Sequence, residues 1–301
     1  MVKHGNTERH ILSLFKESAK FSFKDQEYSI LKIGKPTPRS GECKTDIYIL
    51  AIDNNSNKKE FKISIKQNNA DFLENKMTIE RAKKIFGEDA SNLLMRSTEK
   101  IKCAFENDFL INLAKYKRTE PNCIKIGWKF ELVNKISGEK SSLLELSREQ
   151  KIDIYAGTNL SIEKRNSKVN YEVIEDSGVA NYILEVHSLI EDLNFYLDKM
   201  LEIEEFAEQQ NIYFACKAIN YRVNFDKWDG NRPLAVYCNW FINDYNKLDV
   251  EIIYNNPLKV KADAIGNNIR HILKTIGLNR DNFPEIKNMI SDKVKMYNNQ
   301  I

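Results

Sequence analysis

Two short segments of the chain alternate apolar residues with polar or small ones, which is the pattern of a half-buried β-strand. They are residues 45–50, TDIYIL, and residues 61–66, FKISIK. Residues 53–57 between them read DNNSN, and runs of Asp, Asn and Ser are typical of turns. The pattern therefore predicts a β-hairpin.

Side chains on a strand point alternately to the two faces of the sheet. Asp46 is therefore predicted on the face of Tyr48, and Lys66 on the face of Ser64. A turn centred on Ser56 predicts that Asp46 and Lys66 lie opposite each other, because they are equally far from that centre. A carboxylate beside an ammonium group at the edge of a sheet is a place to hold a divalent metal and activate water.

The rest of the chain mixes helical and strand spacing. Apolar residues three and four apart predict helices over residues 7–20, 70–86, 90–116, 179–208, 262–276 and 284–297. Alternation or continuous apolar runs predict strands over residues 123–133, 151–155, 212–222, 234–242 and 248–254. The segment 179–208 has the strongest helical spacing, and a helix of that length either spans a domain or forms a dimer interface. These elements predict a mixed α/β fold.

Composition narrows the class of protein. The 301 residues are 42% hydrophobic and 30% charged, with 11 Gly and 6 Pro, so we expect a sizeable core and no long linker. Residues 1–120 are expected to form the part of the domain that contains the catalytic hairpin, and residues 121–301 to continue the same domain with elements for substrate binding and oligomerisation. No run approaches the ~18 apolar residues of a membrane span, and the N-terminus does not resemble a signal peptide. The five cysteines form no CxxC pair, which favours reduced thiols inside a cell over a zinc site or a disulfide framework.

The hairpin resembles part of a known superfamily of nucleases. Residues 41–46, GECKTD, and then residues 64–67, SIKQ, are similar to the active-site hairpin of the PD-(D/E)xK superfamily, which includes the type II restriction endonucleases. The resemblance implies a restriction-endonuclease-like core, in which helices flank a central mixed sheet and additional C-terminal strands and helices follow. It also implies Mg²⁺-dependent hydrolysis of DNA in the bacterial cytoplasm. Two positions depart from the pattern, since Thr45 replaces a proline and Ser64 replaces the usual acid.

The candidate residues have distinct roles in such a site. Hydrolysis of a phosphodiester needs an attacking water and neutralisation of the charge on the phosphate. Asp46 would bind the metal, the carbonyl of Ile65 would add a ligand, and Lys66 would stabilise the transition state or orient the water. The resemblance implies a further acid from the first helix. Glu8 matches that role because it shares a helix face with the apolar Ile11.

Each of these residues also has an ordinary structural interpretation. Asp46 suits an acid at a strand end, Lys66 a solvated strand residue, and Glu8 an acid in the first turn of a helix, where the dipole favours it. Ser64 suits a small space-filler, because a hydroxyl is a weak ligand for Mg²⁺. Glu42 shares the face of Asp46 and is either the missing acid or a loop residue. The order of all these parts along the chain favours the combined site.

Contacts with DNA are a separate question. A net charge of +3 and a pI near 8.4 are not by themselves typical of a nucleic-acid-binding protein. Two groups of residues are nevertheless candidates, namely Arg81, Lys83 and Lys84 after the hairpin, and Arg222, Trp228 and Arg232 around a Gly turn. The alternatives are a solvated helix face for the first group and a hairpin turn with a half-buried Trp228 for the second.

These features predict a Mg²⁺-dependent endonuclease that acts on double-stranded DNA, and more finely a type II restriction enzyme that cuts at a specific sequence. A homodimer would match the two-fold axis of a palindromic site. Another phage-defence or repair nuclease of the superfamily is one alternative. A DNA-binding protein without catalysis on the same scaffold is the other, and Ser64 favours it. No association with a membrane is expected.

Overall fold

The computed structural model describes residues 4–67 and 72–299. Contacts between Cα atoms divide the chain into two units. Unit 1 comprises Met1–Leu73 and Glu145–Asn211, and unit 2 comprises Glu74–Leu144 and Ile212–Ile301. The chain therefore leaves unit 1 after the predicted hairpin, forms the first part of unit 2, and returns. These bounds differ from a division at residue 120, and the expectation of one continuous domain stays a prediction.

The helices are α1 (His4–Ser18), α2 (Ile79–Phe86), α3 (Ala90–Glu99), α4 (Lys102–Glu106), α5 (Arg148–Ala156), α6 (Ile162–Arg165), α7 (Leu193–Leu197), α8 (Ile203–Gln209) and α9 (Ala262–Thr275). Short 3₁₀ helices span Val223–Phe225 and Phe283–Asn288. The strands are β1 (Lys20–Phe23), β2 (Gln26–Gly34), β3 (Ile47–Asp53), β4 (Lys58–Gln67), β5 (Phe72–Glu74), β6 (Ile111–Asn112), β7 (Cys123–Val133), β8 (Ser141–Leu143), β9 (Lys168–Val169), β10 (Glu172–Val173), β11 (Tyr182–Val186), β12 (Leu201–Glu202), β13 (Tyr213–Arg222), β14 (Lys227–Trp228), β15 (Val236–Ile242), β16 (Leu248–Ile253) and β17 (Met296–Tyr297).

Unit 1 contains a mixed sheet with the strand order β1-β2-β3-β4-β11-β12. The first four strands form an antiparallel meander, whereas β11 runs parallel to β4. A parallel neighbour requires a long crossover, and the chain supplies one between residues 67 and 182, which includes α5. The predicted mixed α/β fold is confirmed at this level.

The core of unit 1 explains why β3 and β4 pair as they do. Alternate residues of the two strands are fully or almost fully buried: Ile47, Ile49 and Ala51 on β3, and Phe61, Ile63 and Ile65 on β4. They belong to the same apolar cluster as Ile11 and Phe15 of α1, so the predicted apolar face of the first helix is confirmed. Removal of this apolar surface from water is the main force that fixes the faces of the hairpin.

The register of the hairpin differs from the prediction by two residues. Ile47 is opposite Ile63 and Ile52 is opposite Lys58, so the turn is centred on Asn55. The cause is the side chain of Asp53, whose Oδ1 accepts hydrogen bonds of 2.8 Å from the N–H groups of Asn55 and Asn57. A shift by two residues keeps every side chain on its predicted face, but Asp46 and Lys66 are not cross-strand neighbours.

Unit 2 contains a second sheet, in which β14, β13, β7, β15 and β16 are neighbours in that order. The predicted strands at 123–133, 212–222, 234–242 and 248–254 correspond to β7, β13, β15 and β16, and the predicted helix at 262–276 corresponds to α9. These elements are confirmed within one or two residues. The long strand β7 is buried along nearly its whole length, so that even the polar Lys125 and Glu131, which alternate with its apolar residues, are only 5% and 2% exposed.

A buried ionic group lies inside unit 2. Asp108 Oδ2 accepts from Lys125 Nζ at 2.7 Å and from Lys140 Nζ at 2.9 Å. Burial alone would raise the pKa of Asp108, but the two ammonium groups hold that pKa below its ordinary value. Lys125 is only 5% exposed, so its charge depends on this carboxylate.

Four helix predictions are wrong or too long. The segment 179–208 is β11, α7, β12 and α8, because its consecutive buried residues Tyr182, Ile183 and Leu184 form a sheet strand rather than one face of a helix. The segment 284–297 is a 3₁₀ helix followed by β17. The segments 70–86 and 90–116 contain only the shorter helices α2, α3 and α4, and residues 70 and 71 lie outside the described residues.

The predicted strand at 151–155 is also wrong, since these residues belong to α5. Local capping explains the difference. Ser147 and Gln150 form a capping box at the start of the helix, and Gly157 ends it in the left-handed conformation with φ of 80°. The residues that flank 151–155 therefore determine its structure more strongly than its own alternation of apolar and polar residues. Among the described helices, none combines the length and apolar character needed to cross a bilayer.

Candidate active site

A cavity of about 370 Å³ in unit 1 contains both acids that the sequence predicts for a metal site. Its lining includes Glu8 from α1 and Asp46 from the start of β3, together with Lys35 from the loop after β2. Gly5, Arg9 and Leu12 of α1 complete it. Residues from three separate parts of the chain therefore line a single space with two acids, Glu8 and Asp46, and two basic residues, Arg9 and Lys35.

Asp46 is held by the neighbouring strand β4. Its N–H donates to the carbonyl of Ile63 at 2.8 Å, and its Oδ2 accepts from the N–H of Ile65 at 2.7 Å. These two bonds fix the backbone and the carboxylate of Asp46 against β4. The orientation of the carboxylate is thus set by backbone groups rather than by a mobile side chain.

The electrostatic environment of Asp46 is unusual for an aspartate. Burial raises its pKa from 3.8 to about 6, and the nearby charge of Glu8 acts in the same direction. The N–H of Ile65 and the charges of Lys66 and Lys35 oppose this increase without cancelling it. A shifted carboxyl in a cavity is typical of functional sites, because a structural acid is normally stabilised in its ionised form.

Glu8 lies in the first turns of α1, and its side chain is only 19% exposed. It forms an ion pair with Lys35, whose ammonium group donates to Glu8 Oε2. Burial lowers the pKa of Lys35, but Glu8 more than compensates and the pKa is raised. Beside Glu8, the buried Thr7 accepts a hydrogen bond from the side chain of Gln67, which ties the start of α1 to the end of β4.

Ser64 and Lys66 follow each other on one face of β4. Ser64 is fully buried, and its Oγ has no hydrogen-bond partner within the described part of the chain. An unpaired buried hydroxyl costs free energy, so this atom requires an explanation. Lys66 is half-buried and close enough to Asp46 to lower the pKa of its carboxyl. Parallel pairing with β11 places Glu185 opposite Lys66.

Two other predicted residues have different surroundings. Glu42 has an exposed side chain in the loop before β3 and does not line the cavity. Ile65 has its side chain in the apolar core, and the contact that it makes with Asp46 is through its N–H, not through the carbonyl that was predicted as a ligand. The role of either residue towards a metal stays a prediction.

The oxygen atoms at the cavity fit a magnesium ion in their chemistry. Within residues 4–67 and 72–299, no group of three or more His, Cys, Asp and Glu side chains converges. Mg²⁺ is commonly bound through one or two carboxylates, with water and substrate phosphate as the other ligands. The carboxylates of Glu8 and Asp46, which both line the cavity, meet that requirement.

The first group of predicted DNA contacts belongs to unit 2. Arg81 forms an ion pair of 3.0 Å with Glu74, and Lys83 forms one of 2.7 Å with Glu88. Lys84 is exposed on the same helix, α2. Lys83 and Lys84 thus lie on an exposed helix face, whereas the side chain of Arg81 is only 12% exposed. A contact of these residues with phosphate stays a prediction.

The second group forms part of a compact hairpin in unit 2. Arg222 is paired with Asp229 at 2.7 Å and with Glu120 at 3.0 Å. Trp228 is half-buried against α9 and donates from Nε1 to Asp263 at 2.7 Å. The ring approaches so closely that a Cβ at Gly266 would lie 2.6 Å from it. Arg232 is half-exposed in the loop that follows.

Sequence reasoning missed Lys35. It follows the last residue of β2, Gly34, and nothing in its local sequence distinguishes it from the other lysines of the chain. Only the packing of α1 beside β3 brings it to Glu8, which is 27 residues earlier.

Comparisons of the chain with protein-family models, with curated proteins and with solved structures give no match. The site is therefore interpreted from its own geometry.

Proposed function

We propose that the chain is a Mg²⁺-dependent endonuclease that hydrolyses phosphodiester bonds of double-stranded DNA, and that it is a type II restriction enzyme. One observation carries the proposal. Glu8 and Asp46 line the same cavity, and Lys66 lies close to Asp46. The acid from the first helix, the acid at the start of a hairpin and the lysine on its second strand match the parts that the PD-(D/E)xK resemblance implies.

The fold around the cavity supports the same proposal. The resemblance implies a central mixed sheet flanked by helices, and unit 1 has a mixed sheet whose apolar cluster includes α1 and α7. The cavity lies where α1 and the start of β3 meet. Open sheets that carry ligands commonly do so at strand ends, where loops and helix termini converge.

Each residue would contribute a separate part of the chemistry. Asp46 and Glu8 would bind Mg²⁺, which supplies a Lewis acid and lowers the pKa of a bound water. The backbone N–H of Ile65 keeps the Asp46 carboxylate in place. Lys66 would place a positive charge beside the phosphate oxygens, where negative charge develops in the transition state.

The first test is cleavage of unmethylated phage DNA by the purified protein, with Mg²⁺ and with EDTA. Asp46→Asn, Glu8→Gln and Lys66→Met are each expected to lower the rate by about 100-fold or more, because each removes a charge from the reacting centre. Discrete fragments that require Mg²⁺ and Asp46 would support a restriction enzyme. Fragments that degrade to a smear with the same requirements would favour another phage-defence or repair nuclease.

The chain offers a matched control for each variant. Asp53→Asn changes a half-exposed acid in the turn of the same hairpin, and Glu17→Gln changes an exposed acid of the same helix. Lys62→Met changes a lysine on the same strand that pairs with Glu60 at 3.5 Å. These controls should keep their rates within a factor of about three, because none of the three side chains lines the cavity. Equal losses in both sets would reject the assignment of the site.

A DNA-binding protein without catalysis is the second candidate, and Ser64 is the observation that favours it. If the usual acid is required for hydrolysis, the chain would bind duplex DNA and leave it intact. Gel-shift assays in EDTA and in Mg²⁺, run beside the cleavage assay, separate the two functions. Binding with no cleavage across several metals and DNA substrates would decide for the second.

Cleavage of both strands of a palindromic site would be served by a homodimer, since a two-fold axis in the protein matches the one in the DNA. Sedimentation of the free protein and of its complex with a short duplex tests this arrangement. A complex with two chains on one duplex is the expected result, and a complex with one chain would contradict it.

A further inference from the structure

We propose that Lys35 is the resident cation of the Glu8–Asp46 cavity, and that a divalent metal ion must displace its ammonium group from Glu8 in order to bind. The inference rests on the proposed function, because it takes these two acids as the metal ligands. It adds a residue outside the resemblance and gives it a specific role, which is to set how tightly the DNA-free protein holds its metal.

The ion pair between Lys35 and Glu8 is the first observation. Glu8 is mostly buried, with 19% of its side chain exposed, whereas the Lys35 side chain is 54% exposed. A buried carboxylate needs a positive partner, and Lys35 provides it here. Because the lysine reaches Glu8 from the solvent side on a flexible stem, it can leave without rearrangement of the core.

The second observation is that Lys35 faces both acids. It lines the same cavity as Asp46, and its charge lowers the pKa of that carboxyl. One ammonium group therefore acts on both carboxylates that would bind a metal. A metal ion and this ammonium group compete for the same negative charge, since both are stabilised by the same two acids.

The third observation is the position of Lys66. Its charge also acts on Asp46, but it belongs to strand β4 and is anchored in the sheet. Lys35 lies in a loop beyond the end of β2, so the two lysines differ in their freedom to move. We assign the displaceable charge to Lys35 and the fixed charge to Lys66.

The test measures metal binding directly, without DNA and without turnover. Mn²⁺ binding at constant pH, followed by electron paramagnetic resonance and by calorimetry, is compared for the wild type and Lys35→Met. The variant should bind Mn²⁺ about tenfold more tightly, because removal of a competing cation is worth roughly as much as a partly buried ion pair. Lys35→Arg keeps the charge and should retain the affinity of the wild type.

Two further variants make the result specific. Lys32→Met removes a lysine of the preceding strand β2 that pairs with Glu172 outside the cavity, and it should leave the affinity for Mn²⁺ unchanged. Asp46→Asn should abolish tight binding in both the wild type and the Lys35→Met background. Circular dichroism and thermal unfolding of each protein confirm that the variants are folded.

The failures of the two proposals are distinguishable. If Mn²⁺ binds in an Asp46-dependent way but equally to the wild type and Lys35→Met, the role of Lys35 is overturned and the metal site stands. A tenfold increase that also occurs in Lys32→Met would reflect general charge and would overturn the role of Lys35 as well. If neither protein binds Mn²⁺, the metal site of the proposed function is rejected together with the inference.

Discussion

Replacement of Asp46 by Asn should make the metal-free protein more stable at neutral pH, although it removes a residue of the proposed active site. The prediction follows from the raised pKa of this carboxyl, which shows that the folded protein disfavours its ionised form. Asn has nearly the same shape, and its Oδ1 can still accept the hydrogen bond from the N–H of Ile65.

The magnitude and its sign follow from the two pKa values. Below pH 3.8 the carboxyl of Asp46 is protonated in the folded and the unfolded chain, and the group has no effect on stability. Between pH 3.8 and about 6 only the unfolded chain ionises, and above about 6 the folded protein ionises too and bears the full cost. The rise in pKa from 3.8 to about 6 corresponds to a destabilisation of about 3 kcal/mol in the wild type. The variant does not recover all of it, because the N–H groups of the new amide lack hydrogen-bond partners. A gain of about 1–3 kcal/mol at pH 8 is therefore expected for the variant.

The assay is urea unfolding in EDTA at several values of pH between 4 and 8, with the wild type and Asp46→Asn measured together. The difference in unfolding free energy between the two proteins should be small at pH 4, increase through pH 5 and 6, and reach a plateau above pH 7. Taking the difference removes the contribution of every other titrating group that the two proteins share.

Asp53→Asn is the matched control, because it makes the same chemical change in the same hairpin. Hydrogen bonds from Asn57 and Asn55 lower the pKa of Asp53, so its ionised form is favoured in the folded protein. Asp53→Asn should therefore be less stable than the wild type at pH 7, and this difference should shrink as the pH falls through the acidic range. If Asp46→Asn is destabilising at pH 8, or if its effect does not change with pH, the reasoning that the folded protein raises the pKa of Asp46 is refuted.

Three other predictions concern stability alone. Gly178→Ala should lower the unfolding free energy by about 1–3 kcal/mol, because the new Cβ would lie 2.0 Å from the carbonyl oxygen of Lys164; an unchanged urea midpoint would contradict this. Asp108→Asn should cost about 3–5 kcal/mol, since the two lysines that share this carboxylate lose their partner, and thermal unfolding should show a large decrease in Tm. Trp228→Phe should cost about 1 kcal/mol through loss of the 2.7 Å hydrogen bond to Asp263, and calorimetry that shows no loss would argue against that bond.

The strands of the hairpin could be predicted from the sequence because a single physical requirement controls them. Alternate residues such as Ile47 and Ile63 must enter the core together, and this fixes the faces. The register depended on a different interaction, the acceptance of two backbone N–H groups by Asp53, which the alternation does not contain. The sequence therefore predicts the faces of β3 and β4 correctly, although the predicted register between the two strands is wrong.

The segment 179–208 shows the limit of helical spacing as a signal. Its apolar residues recur at three and four, yet the chain forms β11 and two short helices there. β11 is stabilised by parallel pairing with β4, an interaction with residues more than 100 positions earlier in the chain. The spacing of residues within one segment cannot indicate a distant strand such as β4 with which that segment pairs. Pairing in the folded protein then overrides the local preference for helix.

The candidate site was predictable in part for the same reason. Glu8 was found because an acid on an apolar helix face is unusual, and Asp46 because it stands at the start of a strand in a motif. The structure places both at one cavity, while their roles stay predictions. Lys35 has no such signal, because a lysine after a strand is ordinary until the fold gives it a buried carboxylate as neighbour.

The charges of the residues at the site also explain why position 64 is a serine rather than an acid. Glu8 and Asp46 contribute two negative charges to the site, and Lys35, Lys66 and Arg9 contribute positive ones, so the two acids are compensated without a metal. A carboxylate at position 64 would be fully buried beside Asp46 and would raise the pKa of that acid further. Serine avoids this repulsion because it adds no negative charge to the site. If the proposed metal site is correct, this internal counter-ion lowers the affinity for the metal, and the comparison of Mn²⁺ binding by the wild type and Lys35→Met measures by how much.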